Sequence, residues 1–192
     1  MTPREAAECL SRAALQTGGS GYAAAVNLVL VYRPWPGLVV VERPARLHDP
    51  WGGDTVLPGG RLKPGEDPVT AALRETTEEA CIPLDCLEPV GVIGAVEPRN
   101  APWLRVAVVA SLLRSSHCLE RLHDCRGPET AWAGILGLPC RLETTPQMHP
   151  RRGVVVEGYR DWYGTLVWGM TLRAIRLLHT RLEQCGLCST RE

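Results

Sequence analysis

Glu75, Glu78 and Glu79 stand at positions i, i+3 and i+4 of the stretch GRLKPGEDPVTAALRETTEEACI, residues 60 to 82. On a helix this spacing projects three carboxylates side by side, an arrangement that repels itself unless cations sit among them. Hard divalent ions such as Mg2+ or Mn2+ suit carboxylate and backbone carbonyl oxygens. Magnesium keeps several waters and is commonly completed by substrate phosphates. The turn Leu57-Pro58-Gly59-Gly60 stands just ahead, where Gly59 can lend a carbonyl and Gly60 lets backbone approach a ligand closely. The chemistry expected is divalent-metal binding with a phosphate-containing partner; the alternative is an ordinary solvated acidic face.

The elements that must position these acids can be read locally. Asp67 is an N-cap and Pro68 suits the first helical position, which needs no amide hydrogen. Ala71, Ala72, Leu73 and Ala80 keep helix propensity high. Arg74 can pair with Glu78 four residues on, and Pro83 stops the helix soon after Cys81.

Together with Glu66, this set resembles the signature of the Nudix hydrolase family. That signature has a glycine, a glutamate, an Arg-Glu pair and a Glu-Glu pair, held here by Gly60, Glu66, Arg74, Glu75, Glu78 and Glu79. The resemblance implies an α/β/α sandwich with a mixed sheet over residues 22 to 182. It also implies metal-assisted hydrolysis of a nucleoside diphosphate linked to another group. By carry-over, Glu78 and Glu79 are the foremost metal ligands and catalytic residues, Glu75 is a further ligand, and the Gly59 carbonyl joins them. Glu66 is supportive and Arg74 structural. Glu129 is the chosen general base, with Glu97 and Glu79 as competitors. Two positions depart from the pattern. Thr76 stands where an aliphatic residue is usual, and Cys81 where glycine ends the helix, so the turn beyond is expected to differ.

The segment from Leu166 to Thr171, followed by Ala174, Ile175 and Leu178, resembles the closing helix of coenzyme A pyrophosphatases. Gly53, three residues ahead of the Leu57-Pro58-Gly59-Gly60 turn, points the same way. Asp49 and Leu57 depart from that subfamily, where arginine and phenylalanine are expected. Coenzyme A is therefore weighed against ADP-ribose, dinucleoside polyphosphates and nucleoside triphosphates. Arg43 and Arg46 are candidates for binding substrate phosphates, and Trp51 for stacking on the base, ahead of Tyr32, Trp35 and Trp103.

The whole chain fits these assignments. Its 192 residues can bury a substantial core, and its formal net charge of +0 offers no basic field for a nucleic acid polymer. One domain is expected over 1–192, with a helical extension at 1–21 and a cysteine-containing tail at 183–192. No run is apolar enough to span a bilayer, MTPREAAECLSRAALQ reads as an amphipathic helix, and a cytoplasmic location is expected. After the Gly18-Gly19-Ser20-Gly21 break, strands are expected in AAAVNLVLVY, GLVVVER, PVGVIGAVEP, LRVAVVASLL, near Trp132 and around RGVVVEGY. Pro34-Trp35-Pro36-Gly37 joins the first two, and a final helix is expected from about Asp161 to Gln184. Eight cysteines are scattered along the chain, and Cys185 and Cys188 have the spacing of a metal or redox pair. They could join Cys118 or Cys125 around zinc, or form a disulfide that ties down the tail. A homodimer is expected. A domain that binds a nucleotide or a protein without turnover is the non-enzymatic alternative.

Overall fold

The computed structural model describes residues 1–16, 21–32, 36–46, 51–99, 101–139 and 141–188. Trp35, Asp49, Cys140, most of the Gly18–Gly21 break and part of the link at 34–37 lie outside the described residues. In chain order, α1 (Pro3–Gln16) precedes β1 (Ala24–Val31) and β2 (Gly37–Glu42), and β3 (Thr55–Val56) and β4 (Gly59–Arg61) lead into α2 (Pro68–Ala80). Next come β5 (Leu87–Val96), β6 (Val106–Leu113) and β7 (Trp132–Gly137). The chain closes with β8 (Thr145–Met148), β9 (Val155–Arg160), β10 (Leu166–Trp168) and α3 (Gly169–Gln184).

The main sheet runs β3-β2-β1-β6-β5, with β4 also paired to β1 and β7 to β2. β1 and β6 are parallel, from Ala24 opposite Val106 to Leu30 opposite Leu112, while β1 with β2 and β5 with β6 are antiparallel, so the sheet is mixed. β1 and β6 are nearly continuous apolar runs because both faces are covered. Val26, Leu28 and Leu30 join a core with Ala6, Cys9 and Leu10 of α1 and Ile175, Leu178 and Leu182 of α3. The alternate residues Val29 and Val31 join Val39, Val41 and Ala80 on the α2 side, where Ala25 also meets Ala71 and Ala72. Helices on both faces of a mixed sheet make the expected α/β/α sandwich. The N-terminal segment is thus a core-packed helix, with Ala6 and Leu10 fully buried.

The last helix starts at Gly169, not near Asp161. Asp161 Oδ1 accepts the amide hydrogens of Tyr163 at 3.0 Å and Thr165 at 2.8 Å, closing a local turn that competes with helix. Leu166, Val167 and Trp168 then pair antiparallel with β9, whose other neighbour is β8, giving a second, three-stranded sheet.

Six of the eight cysteines pair, as Cys9–Cys185, Cys81–Cys125 and Cys86–Cys118, so Cys185 and Cys188 are not joined to each other. The proposed zinc grouping of Cys185 with Cys118 or Cys125 is excluded, since each already has a different partner. Cys185 instead ties the end of α3 to α1, the tail-anchoring role weighed from the sequence.

Candidate active site

α2 forms where the local signals place it. Asp67 accepts the amide hydrogens of Val69 at 2.9 Å and Thr70 at 3.1 Å, satisfying two donors that have no intrahelical partner. Ala71, Ala72, Thr76 and Ala80 turn to the sheet and are fully buried, which leaves the opposite flank to the acids. Thr76 replaces an aliphatic residue at no cost in unsatisfied hydroxyl. Its Oγ1 donates to the Ala72 carbonyl at 2.7 Å and accepts from Asn27 Nδ2 at 2.9 Å, and Asn27 Oδ1 accepts from Ser111 at 2.9 Å. This buried chain pins the helix to β1 and β6, and each polar member has partners, as low-dielectric burial requires.

Arg74 organises the acidic flank. Its guanidinium lies 2.8 Å from Glu66, 2.7 Å from Glu75 and 3.3 Å from Glu78. The anticipated Arg74–Glu78 pair is present, but Glu66 and Glu75 hold the arginine more closely. Glu66 is pulled well below the ordinary carboxylate range, to about 2, chiefly by its hydrogen bond from Arg74. The arginine is pushed further above its ordinary value by the same partner. A β-carbon on Gly60 would collide with the Glu75 carboxylate, so glycine there lets the turn and the helix acid meet.

Glu79 is the buried member, 6% exposed. It accepts the Gly59 amide hydrogen at 2.9 Å, placing the glycine turn directly against it. Burial pushes its carboxyl up to about 7, with the charges of Glu75 and Glu129 adding to the rise and the Gly59 hydrogen bond and Arg43 opposing it. A carboxylate raised by burial and by neighbouring acids is a group that a cation would relieve. Among the described residues no three His, Cys, Asp or Glu side chains are gathered closely enough to hold a metal ion by themselves. Mg2+ needs only one or two carboxylates once waters and substrate phosphates complete its shell, so the donor set of Glu75, Glu78 and Glu79 fits it.

The structure also brings Arg43, Arg46 and Glu129 together. Arg43 lies 3.4 Å from one oxygen of Glu129 and Arg46 lies 3.1 Å from the other. The next residue, Thr130, is buried and donates its hydroxyl to the Glu79 carbonyl at 2.8 Å. That bond satisfies a carbonyl in the last turn of α2 and fixes Glu129 beside the acidic flank. Sequence reasoning missed Thr130, although its place directly after Glu129 was visible.

Cys81 sits at φ 55 and ψ 28, the one non-glycine residue with positive φ among those described. The expectation that cysteine would alter this turn is corrected: the left-handed C-cap is kept. A non-glycine side chain makes that conformation roughly 1 kcal/mol less favourable, and the Cys81–Cys125 disulfide holds it in place. Cys125 and Thr130 flank Glu129, so the segment bearing this acid is fastened to the end of α2 on both sides.

The remaining candidates separate clearly. Trp51, just ahead of Gly52 and Gly53, is exposed, and Trp103 is still more so. Tyr32 packs against the α1/α3 core, and its hydroxyl is pushed up by burial, which removes it from the stacking candidates. Glu97 is exposed just beyond β5.

Three further residues reach the site's approach unannounced by any motif. Asp54, buried, lies 2.9 Å from His149 Nε2 and 2.6 Å from Arg152. Arg152 also stacks over Trp168 at 4.7 Å, and the His149 ring meets Trp168 edge-on at 5.1 Å. The signal available was Asp54 between a glycine pair and a strand, and the turn His149-Pro150-Arg151-Arg152-Gly153; nothing in the linear order connects the two.

Comparison with known proteins agrees with this geometry. A NUDIX domain model matches residues 21–133. The chain is 32% identical over 162 residues to an uncharacterized Nudix hydrolase NudL of Citrobacter koseri, covering 81% of this chain and 80% of that one. It is 30% identical over 162 residues to the NudL of Escherichia coli K12, with the same coverage. A MutT/nudix family protein from Enterococcus faecalis shares the fold at 16% identity and a TM-score of 0.51, over 96% of this chain and 75% of that chain. No helix among the described residues is long and apolar enough to cross a membrane.

Proposed function

Since the chain belongs to the Nudix hydrolase family, we propose that it is a divalent-metal-dependent pyrophosphohydrolase that cleaves a nucleoside diphosphate-linked substrate, coenzyme A or a derivative. The observation that carries this reading is the joining of two halves at one place. Glu75 and Glu79 stand against the Gly59-Gly60 turn, Glu78 joins Glu75 on Arg74, and Arg43 and Arg46 converge on Glu129, whose charge reaches Glu79. Coenzyme A is favoured over ADP-ribose, dinucleoside polyphosphates and nucleoside triphosphates by the Gly53 spacing and by the Leu166–Leu178 segment.

Glu75, Glu78 and Glu79 would hold Mg2+ or Mn2+, which when bound lowers the pKa of its water and offsets charge on phosphoryl oxygens. Arg43 and Arg46 bind and orient the diphosphate by planar, charge-assisted donation. Both reach for Glu129; an incoming phosphate would compete for them and leave that carboxylate able to take a proton from the attacking water. Arg74 holds Glu66, Glu75 and Glu78 in register without touching substrate. Trp51 offers its exposed ring to the base. A cytoplasmic, homodimeric enzyme completes this proposal.

The test is mass-resolved product analysis with Mg2+ or Mn2+ and a panel of coenzyme A, ADP-ribose, NADH, dinucleoside polyphosphates and nucleoside triphosphates. Conversion of coenzyme A to 3′-phospho-AMP and 4′-phosphopantetheine is expected. Selective cleavage of another member reassigns the substrate, and binding without any cleavage overturns the enzymatic reading.

A further inference from the structure

A further arginine-bearing turn borders the same entrance. The turn between β8 and β9 carries Arg151 and Arg152, and it is built on buried ionisable groups rather than on packing alone. His149 Nδ1 accepts the amide hydrogens of Arg151 and Arg152, each at 3.2 Å, while Nε2 bonds Asp54 at 2.9 Å. That assignment makes His149 a donor at Nε2 and an acceptor at Nδ1, one tautomer doing both tasks. The second oxygen of Asp54 receives Arg152 at 2.6 Å. Asp54 and His149 are both nearly inaccessible to solvent.

Arg152 is consumed by this network; its neighbour is not. The Arg151 guanidinium lies against Gly53, where a β-carbon would displace it, and the φ of +76 at Gly53 favours glycine independently. Its charged partner is Glu42 at 3.7 Å, longer than a hydrogen bond, with the Arg151 side chain about half exposed. Glu42 directly precedes Arg43. Arg43 and Arg46 converge on Glu129, and the charge of Arg43 reaches Glu79, so those two serve the anion nearest the acids. Arg151 stands on the Gly53 side of Glu42, with most of its five donors left for a ligand.

We infer that Arg151 is a specificity-determining residue that binds a phosphate monoester of the substrate, outboard of the diphosphate, and that Asp54, His149 and Arg152 position it. The inference rests on the reading above that the substrate carries a diphosphate. A dianionic phosphate matches the planar guanidinium fork and out-competes the distant Glu42 carboxylate. The buried network has a structural duty as well, fastening the second sheet to the strand that leads to Gly59. A structural duty alone requires Asp54, His149 and Arg152, but places no demand on Arg151.

The experiment is calorimetric titration of the full chain with adenosine 3′,5′-bisphosphate and, separately, AMP. Neither contains a diphosphate bond, so the result is independent of turnover and remains readable if the substrate panel gives no cleavage. Wild-type protein is expected to prefer the bisphosphate by about tenfold or more, the size of a charge-assisted contact. Arg151→Ala should abolish that preference while leaving AMP binding unchanged, and Arg151→Lys should keep part of it. His149→Gln, with its fold verified by circular dichroism, should lose the preference by misplacing the arginine. Equal wild-type affinity for the two ligands, or an undiminished preference in Arg151→Ala, overturns the inference.

Discussion

The acidic side and the arginine side of the site are built in opposite ways. The acids lie within one continuous stretch, from Gly59 to Glu79, and helix geometry sets their spacing. The arginines come from separate stretches, Arg43 and Arg46 after β2 and Arg151 and Arg152 after β8, and Glu129, the carboxylate that Arg43 and Arg46 share, comes from a third. A locally encoded constellation survives changes elsewhere in the fold; one assembled from distant segments depends on every fastening that holds them. The fastenings are visible here as the Asp54–His149–Arg152 network, the Thr130 bond to Glu79 and the Cys81–Cys125 bridge.

The largest difference should appear in catalysis. Glu79→Gln is expected to lower metal-dependent turnover by orders of magnitude while far-UV circular dichroism stays unchanged, because it removes a proposed metal ligand without disturbing the helix face. Full activity in that folded variant would break the assignment of the acidic side.

Asp54→Ala should act on stability instead. It strands the buried His149 and Arg152, and breaking a buried ionic group costs about 3–5 kcal/mol, to be read from urea unfolding. Glu129→Ala removes half-exposed pairs and should cost at most about 1 kcal/mol. Equal losses would show that the two kinds of contact are not distinct.

A pH titration separates the sides further. Glu79 has its folded carboxyl raised to about 7 from 4.5, so its contribution to stability is full below the unfolded value and is lost as pH rises through the folded one. Metal-free protein should lose on the order of 3 kcal/mol between those limits from this group. Glu79→Gln should flatten that slope, as should Mg2+, which favours the ionised form. Glu66 has the opposite sign, since its lowered value gives stability above 4.5 that is lost as pH falls toward about 2. Thermal unfolding from pH 2 to 8 in chelator, with and without Mg2+, checks both.

The smallest effect concerns the end of α2. With Cys125→Ser removing the bridge, Cys81→Gly should be more stable than Cys81→Ala by about 1 kcal/mol, because glycine tolerates the left-handed cap. Equal unfolding midpoints would mean that the cap relaxes once the bridge is gone.

Much of this molecule was legible because its information is short-range. The Asp67 cap, the Gly59-Gly60 turn, the three acids and the nearly continuous apolar runs of β1 and β6 each follow from neighbours in the chain. The start of α3 was misplaced because the Asp161 turn and the pairing of Leu166–Trp168 with β9 override helical periodicity. Thr76 looked like a departure from pattern, and only its contact with Asn27, itself tied to Ser111, shows why a hydroxyl belongs there. Asn27 and Ser111, polar residues inside apolar strands, were the signal that could have foretold it.

Sequence by itself determined the family, the acidic helix and the glycine turn, since backbone periodicity places i, i+3 and i+4 on one flank wherever the helix forms. Tertiary structure alone decided which cysteines pair, that Glu129 lies between Arg43 and Arg46, and that Arg151 rests on Gly53. These are contacts between residues up to 176 positions apart, and the packing of two sheets and three helices, not chain order, brings such residues within reach.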